Sequence, residues 1–501
     1  MDNAAQKQRL HDRGICVVIP TYNNAGTIVD VVARTLGQCR DVIVVCDGCT
    51  DDTVPRLQKM PELPVIIELK ENRGKGVALK AGFRYALEAG FAYAITLDGD
   101  GQHYPEDIPL LLKANIDHPG TLIVGERKYT EEMERSGGSK FANRFSNFWF
   151  AVQTGRYLSD TQTGYRLYPL KKLYGLSLLS SRYEAELGLM VLASWHGVEL
   201  VSVGVNVYYP PKNERVSHFR PGKDFVRIFA MNMLLCVLAL VYGWPLRLFR
   251  LTAKVFRTFY TLFFFVLASA FVLSPLLFLY AHVWKMSENG RCKLHRIITA
   301  MARFVLFGHK LPGVRYSQSN PFREDFRKPA VIICNHQSHL DLLPLLALSP
   351  KLVVVTADWV WHNPIYRYVI RCAEFVPASS GMEEMMPKLQ SLVERGYSVA
   401  VYPEGTRSVD GRIGRFHQGA FHIAGRLGLD VVPLVLYGSG IVLPKKAWLL
   451  RKGRMHLAID ARISSKELLS FGETPVKQAA GMRAYYRSRY AAIADKMDQE
   501  A

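Results

Sequence analysis

The sequence predicts an α/β protein of two domains separated by a hydrophobic, membrane-associated connector. Three observations point there. Strand-like runs alternate with helix-like stretches over residues 14–130, the same alternation returns over 330–440, and two long uncharged stretches lie between them. A chain of 501 residues also exceeds the roughly 100–200 residues that one domain normally holds.

In the first domain, ICVVIP (15–20), DVIVVC (41–46), VIIEL (65–69), YAITLD (93–98) and TLIVGE (121–126) read as buried strands. TIVDVVARTL, KGVALKAGFRYALEAG and PEDIPLLLKAN between them carry helical spacing. This rhythm implies a mainly parallel sheet with helices on both faces and ligands held beyond the C-terminal strand ends. In the connector, residues 228–246 hold 19 uncharged residues and 258–284 hold 27, each near the length of about 20 that spans a bilayer. RLFRLTAKVFR between them, with Arg247, Arg250, Lys254 and Arg257, reads as a basic loop. Three arrangements are open: a spanning hairpin, which sets this loop against the positive-inside tendency; a single span; or interfacial or re-entrant segments broken at Pro245 and Pro275. In the last domain AVIICN, LVVVTA, SVAVYP and VVPLVLYG read as strands, and GMRAYYRSRYAAIADKMDQEA as a basic helix. The expected divisions are 1–227, 228–290, 291–465 and 466–501.

An apolar content of 49% with 21% charged residues excludes a disordered chain, and 8 Cys are too few for a disulfide scaffold. The polar opening MDNAAQKQRLHDRG runs straight into a strand, so the first domain is expected in the cytoplasm. Residues 1–224 carry 27 basic and 26 acidic groups, whereas 225–501 carry 36 and 18. A basic half that also holds the apolar stretches predicts a membrane surface with anionic lipid as partner. It predicts no nucleic acid, because the aromatics concentrate in the apolar stretches.

Asp98 and Asp100 end a strand in TLDGDGQH, where Gly99 and Gly101 allow a tight turn. Carboxylates so placed can hold Mg²⁺ or Mn²⁺ through oxygen and leave the ion free to bridge a diphosphate. Alone, Asp-x-Asp is common in solvated turns. Here VVIPTYNNAGTI, VVCDGCTDDT, NRGKGVALKAGF, LDGDGQHYPEDI and TQTGYRLYP stand in order. Over roughly residues 14–230 they resemble a family 2 glycosyltransferase of the branch that includes dolichol-phosphate mannose synthase. The resemblance implies a GT-A type nucleotide-binding sheet domain using a UDP- or GDP-type nucleotide sugar. It implies that Pro20, Tyr22, Asp47 and the Arg73–Lys75 loop surround the nucleotide, and that Asp98, Asp100 and Gln102 hold the metal. It puts Asp160 at the place of a catalytic or acceptor-side acid, the other reading being a turn or cap residue. Arg215 and His218 fall in a loop expected to close over the diphosphate. Cys46 stands where the family commonly has an acid and forms a C-x-x-C with Cys49. No second Cys or His pair at zinc spacing accompanies it, so both thiols read as core fillers.

CNHQSHLD holds His336 and Asp341. On one regular helix they would point apart. With His336 on the turn after a strand and Asp341 in the first helical turn, the acid can orient the imidazole as a general base. His339 competes. YPEGTRS (402–408) follows another strand, where Gly405 permits close approach and Arg407 offers a planar fork for phosphate. Together, over roughly residues 300–460, these resemble the glycerophosphate and lysophospholipid acyltransferase family. The resemblance implies that His336 and Asp341 activate an acceptor hydroxyl against an acyl thioester of coenzyme A or acyl-carrier protein, with Glu404, Gly405 and Arg407 fixing the acceptor's anionic group. Asp358 and Ala378 stand where the family often has Lys and Arg, which leaves the acceptor open.

Two transferases on one chain lead to the expectation of a bacterial cytoplasmic-membrane enzyme that makes an acylated glycolipid, with both sites facing the cytoplasm. The alternatives are a polyprenyl-phosphate glycosyltransferase joined to a separate lysophospholipid acyltransferase, and a scaffold with one degenerate domain.

Overall fold

Alternate residues of the first strand, β1 (Ile15–Thr21), bury on opposite faces of a sheet, which is why the run is apolar throughout. Ile15, Val17 and Ile19 pack with Ile28, Val31, Val32 and Leu36 of the helix Ile28–Gln38, whose i, i+3, i+4 spacing makes one apolar stripe. Cys16 and Val18 pack on the other side with Ala78 and Ala86 of helix α1 (Lys75–Glu88). The computed structural model describes residues 3–128, 137–176, 180–182, 184–208, 221–268, 271, 274–280, 287–362, 367–408 and 411–499. The chain divides into two units, Met1–Arg250 and Leu251–Ala501.

The first unit continues with β2 (Val42–Asp47), β3 (Val65–Leu69), β4 (Tyr93–Thr96), β5 (Leu122–Lys128), β6 (Arg166–Pro169) and β7 (Leu200–Asn206), in the order β3-β2-β1-β4-β6-β5-β7. The pairing is parallel except at β6, which runs against both β4 and β5. Helices cover both faces, as the strand rhythm predicts. The second unit has β8 (Val314–Ser319), β9 (Ala330–Cys334), β10 (Leu352–Thr356), β11 (Val376–Pro377), β12 (Ser398–Val401), β13 (Asp430–Tyr437) and β14 (Gly453–Ile459), in the order β11-β10-β12-β9-β13-β14-β8. It is parallel but for the β13–β14 pair.

Residues 247–257 form no loop. Helix Trp244–Ala268 runs through them, and Val226–Phe264 is a helical run of 39 residues. Among the described residues it is the one helix long and apolar enough to cross a membrane. Beyond Pro245 no Gly or Pro interrupts it, and its Leu, Arg, Lys and Ala favour helix. A hairpin with its turn at 247–257 is therefore ruled out. Arg247 and Arg250 sit one turn apart and donate to the carbonyls of Thr154 and Trp195, the last residues of helices α2 (Gly137–Thr154) and α3 (Glu184–Trp195). Cations are stabilising at helix C-termini, so these two guanidinium groups are committed to helix ends, although Arg247 stays exposed and Arg250 is half-buried. Leu248, Phe249, Phe256, Phe259 and Phe263 of the same helix are exposed. Of the second apolar stretch, the described part is helical to Ala268 and again over Ser274–Phe278.

The C-terminal helix Pro475–Gln499 packs into the core of the second unit, with Met482 and Tyr486 fully buried. Of its arginines Arg487 is exposed, whereas Arg489 is half-buried and pairs with the buried Asp460 (2.6 Å). The Tyr486 hydroxyl donates to the Ile333 carbonyl (2.6 Å) and accepts from Leu434 N (3.1 Å), tying the helix to β9 and β13. Tyr486→Phe is expected to cost about 1–3 kcal/mol, because it leaves buried main-chain groups short of a partner. The check is a lowered urea midpoint with an unchanged m-value.

Candidate active sites

The first site forms where β1 and β2 end. Pro20 is buried at the close of β1, with Tyr22 half-buried just after it. Asp47 closes β2, and its carboxylate accepts from Arg73 N (2.9 Å) and Gly74 N (2.7 Å). Gly74 has φ +103°, a backbone region open chiefly to glycine. Asp47 thus holds the 73–75 loop in place, and Arg73 itself is exposed. This clamp starts α1 at Lys75, whose Nζ lies 2.6 Å from Asp98 Oδ1 and 2.9 Å from Glu186 Oε2. Burial would lower the Lys75 ammonium, but Asp98 and Glu186 outweigh it and raise it above the usual range. Burial likewise works against an ionised Asp98, yet Lys75 keeps that carboxyl below its ordinary value. Arg166, fully buried, faces Glu186 on its other side (3.8 Å).

Asp100 differs from Asp98. Burial and then the Asp98 charge push its carboxyl up to about 6. Among the described residues this partly buried carboxylate, beside a second anion, makes no ion pair, and a divalent cation would supply a positive partner. Among the described residues no three His, Cys, Asp or Glu side chains cluster as metal ligands. Two carboxylates nonetheless fit Mg²⁺ or Mn²⁺, ions that commonly complete their shell with substrate phosphate and water. Gln102 shapes the turn through its backbone, donating to Asp100 Oδ1 (3.0 Å) and accepting from Tyr208 N (2.8 Å). His103, pushed down to about 4 by burial, stays neutral and its Nδ1 accepts from Asp98 N (3.2 Å).

Asp160 is buried, with both oxygens engaged: Oδ2 by Arg127 Nε (2.7 Å) and Oδ1 by Arg127 Nη2 (2.9 Å) and Gln162 N (3.2 Å). Burial opposes its charge, but Arg127 outweighs burial and holds it below the usual carboxylate range. A bidentate, depressed carboxylate is a poor proton acceptor and a good anchor for Arg127. Cys46 packs in the core with Cys49 partly buried against it. Arg215 and His218 lie outside the described residues.

Sequence reading missed Glu186 and Arg127, which stand in no recognisable pattern. The reason for Gly164 in TQTGYR was also hidden: a Cβ there would sit 2.7 Å from Asp98 Oδ2 and 2.8 Å from Lys75 Nζ.

The second site forms at the end of β9. Ser338 caps a short helical turn and Asp341 is its third residue, a reciprocal capping box. Asp341 Oδ2 accepts from His336 Nδ1 (2.9 Å), Gln337 N (2.6 Å) and Ser338 N (2.8 Å). This network puts the imidazole proton on Nδ1 and leaves Nε2 as the basic atom. Asp341 is buried and His336 stacks on Tyr402, with centroids 4.2 Å apart. His339 is exposed.

The Glu404 carboxylate accepts from His336 N (2.9 Å) and Gly414 N (2.7 Å), while Ser408 N donates to His336 O (2.8 Å). Burial pushes the Glu404 carboxyl up. Glu404 therefore fixes the backbone of the histidine, and an anion facing it would be repelled. Gly405, at φ +65°, turns the chain within 3.4 Å of His417 for any Cβ placed there. Arg407 is half-exposed, and burial followed by the Asp341 charge are the influences on its guanidinium. It is the member of this motif free in geometry to meet an anion.

Residues 16–173 match the family model described as glycosyl transferase family 2, and residues 313–437 match the acyltransferase model. A UDP-N-acetylglucosamine–dolichyl-phosphate N-acetylglucosaminyltransferase of Methanococcus voltae is 28% identical over 218 residues, covering 40% of this chain and 87% of that protein. An uncharacterised protein of Methanocaldococcus jannaschii is 30% identical over 215 residues, 41% of this chain and 92% of that protein. A chloroplast 1-acyl-sn-glycerol-3-phosphate acyltransferase of Arabidopsis thaliana is 36% identical over 120 residues, 23% of this chain. The chain spans about a third of the length of that relative and of a similar one from Brassica napus.

Glu186→Gln leaves Lys75 and Arg166 with one buried carboxylate fewer. The expected cost is about 3 kcal/mol, typical of breaking a buried pair, read as a lower denaturation midpoint of the first unit.

Proposed function

From a chain that belongs to glycosyl transferase family 2 through its first half and to the acyltransferase family through its second, both transferase families, we propose a bacterial inner-membrane enzyme that builds an acylated glycolipid. It transfers a sugar from a UDP- or GDP-type nucleotide sugar to a lipid acceptor, and an acyl chain from coenzyme A or acyl-carrier protein to a hydroxyl of that lipid. The observation that carries this reading is the coexistence on one chain of two such sites and a helix, Val226–Phe264, with exposed apolar side chains. Nucleotide sugars and acyl thioesters are cytoplasmic, so both sites face the cytoplasm.

In the first reaction Asp98 and Asp100 would hold a divalent cation, whose charge would offset that of the departing nucleoside diphosphate. Lys75 fixes Asp98, and Asp47 fixes Lys75's loop. Pro20, Tyr22 and Arg73 border the nucleotide. Asp160, bound at both oxygens, positions Arg127. That favours an acceptor already ionised, a lipid phosphate, which needs no proton removed. In the second reaction His336 Nε2 takes the acceptor hydroxyl proton as its oxygen attacks the thioester carbonyl, and the thiolate departs. Arg407 holds the acceptor's anionic group.

The lipid-phosphate acceptor also suits a second reading, a prenyl-phosphate glycosyltransferase joined to an independent lysophospholipid acyltransferase. Mass spectrometry of lipids from cells carrying Asp100→Ala or His336→Ala separates the two. The expected result is loss of a hexose-type increment in the first and of a fatty-acyl increment in the second, within one lipid series. Changes in unrelated lipids favour the second reading, and no change in either points to a scaffold. Asp341→Asn is expected to lower acyl turnover by about 10²–10⁴-fold, measured with purified enzyme, because it frees the imidazole from its tautomer and orientation.

A further inference from the structure

The second unit holds a cleft of about 770 Å³ that the two transfer reactions leave unused. Phe256 and Tyr260 line it together with Lys310, Arg315, Lys452 and Arg454. The strand order places it at the end of the sheet where His336 stands. β13 runs parallel to β9, and β14 runs back against β13 with Tyr437 opposite His456. β8 lies beside β14 with Val314 opposite Gly453. The starts of β14 and β8 therefore share an end with the close of β9. Three inter-strand spacings put β8 about 14 Å from β9.

Among the described residues none of these four cations has a carboxylate partner. Nearby, Arg257 Nε and His309 Nε2 are buried without a hydrogen-bond partner, and the Arg257 guanidinium lies against Gly313 on the cleft's floor. Converging cations repel one another, and two of them are the planar forks that match phosphate. Lone donors buried beside them point the same way. The two aromatic rings add an apolar surface to the charge, so the matching ligand has a phosphate end and an apolar or aromatic part.

We propose that this cleft binds the phosphate group of an amphiphilic substrate of the second site. That chemistry has two sources, the coenzyme A moiety of the acyl donor and the head group of an anionic phospholipid. Calling the ligand a substrate rests on the acyl-transfer reading, whereas phosphate binding does not.

The test uses the full chain and reads binding rather than turnover. Arg315→Glu with Lys452→Glu is compared with Lys466→Glu and Arg487→Glu, which remove the same charge from exposed positions elsewhere. One arm titrates coenzyme A calorimetrically. The other measures cosedimentation with phosphatidylcholine vesicles, with and without phosphatidic acid. The cleft variant is expected to weaken binding about tenfold or more in at least one arm, with little change in the control. Loss with coenzyme A alone assigns the donor, loss with phosphatidic acid alone assigns the lipid head group, and loss in both assigns a cleft open to either. Unchanged binding in both arms, or equal weakening by the control, overturns the proposal. If the cleft variant loses binding but the wild type transfers no acyl group, the cleft stands and the acyl-transfer reading fails.

Discussion

A carboxylate taken out of water must find donors, and both halves of this chain are built around that requirement. Asp47, Asp160, Asp341 and Glu404 are each 5% exposed or less. Each accepts at least one main-chain N–H from a loop at the C-terminal end of a sheet. The loops of an α/β protein bear the reacting groups but have little packing of their own. Anchoring them to buried anions restrains their geometry. In the second site the same oxygen that receives Gln337 N and Ser338 N also receives His336 Nδ1, so loop shape and imidazole tautomer are set by one atom.

This explains what could be read from the sequence. Strands with unbroken β-branched runs, such as β1, β2, β9 and β13, are buried on both faces and declare themselves. β6 is four residues long and begins with Arg166, and β7 is half-exposed, so neither carries the signal. Asp98, Asp100, His336 and Asp341 were visible because their spacing is local. Glu186 and Arg127 come from distant segments, and only the fold brings them to Lys75 and Asp160. Motif reading puts Asp47 and Glu404 against ligands, and in the fold both carboxylates also accept backbone N–H groups. A motif acid beside a substrate and one supporting a loop have the same sequence pattern, and burial and donor count add what the pattern lacks.

The connector shows how charge can mislead. Arg247 and Arg250 look like a basic turn suited to lipid phosphate. In the fold they close the ends of two helices, and the face left outside is apolar. The excess positive charge of the second half resides instead partly in the cleft at the β8–β14 edge. Phe256 and Tyr260, on the same helix as Arg247 and Arg250, also line that cleft, so the apolar helix and the cations meet there.

The most direct measurement of the central claim, that two transfers serve one lipid, supplies the reconstituted full chain with a nucleotide sugar and an acyl thioester bearing different isotopes. The expected result is a single chromatographic lipid product that carries both labels. Two products, each with one label, would contradict it.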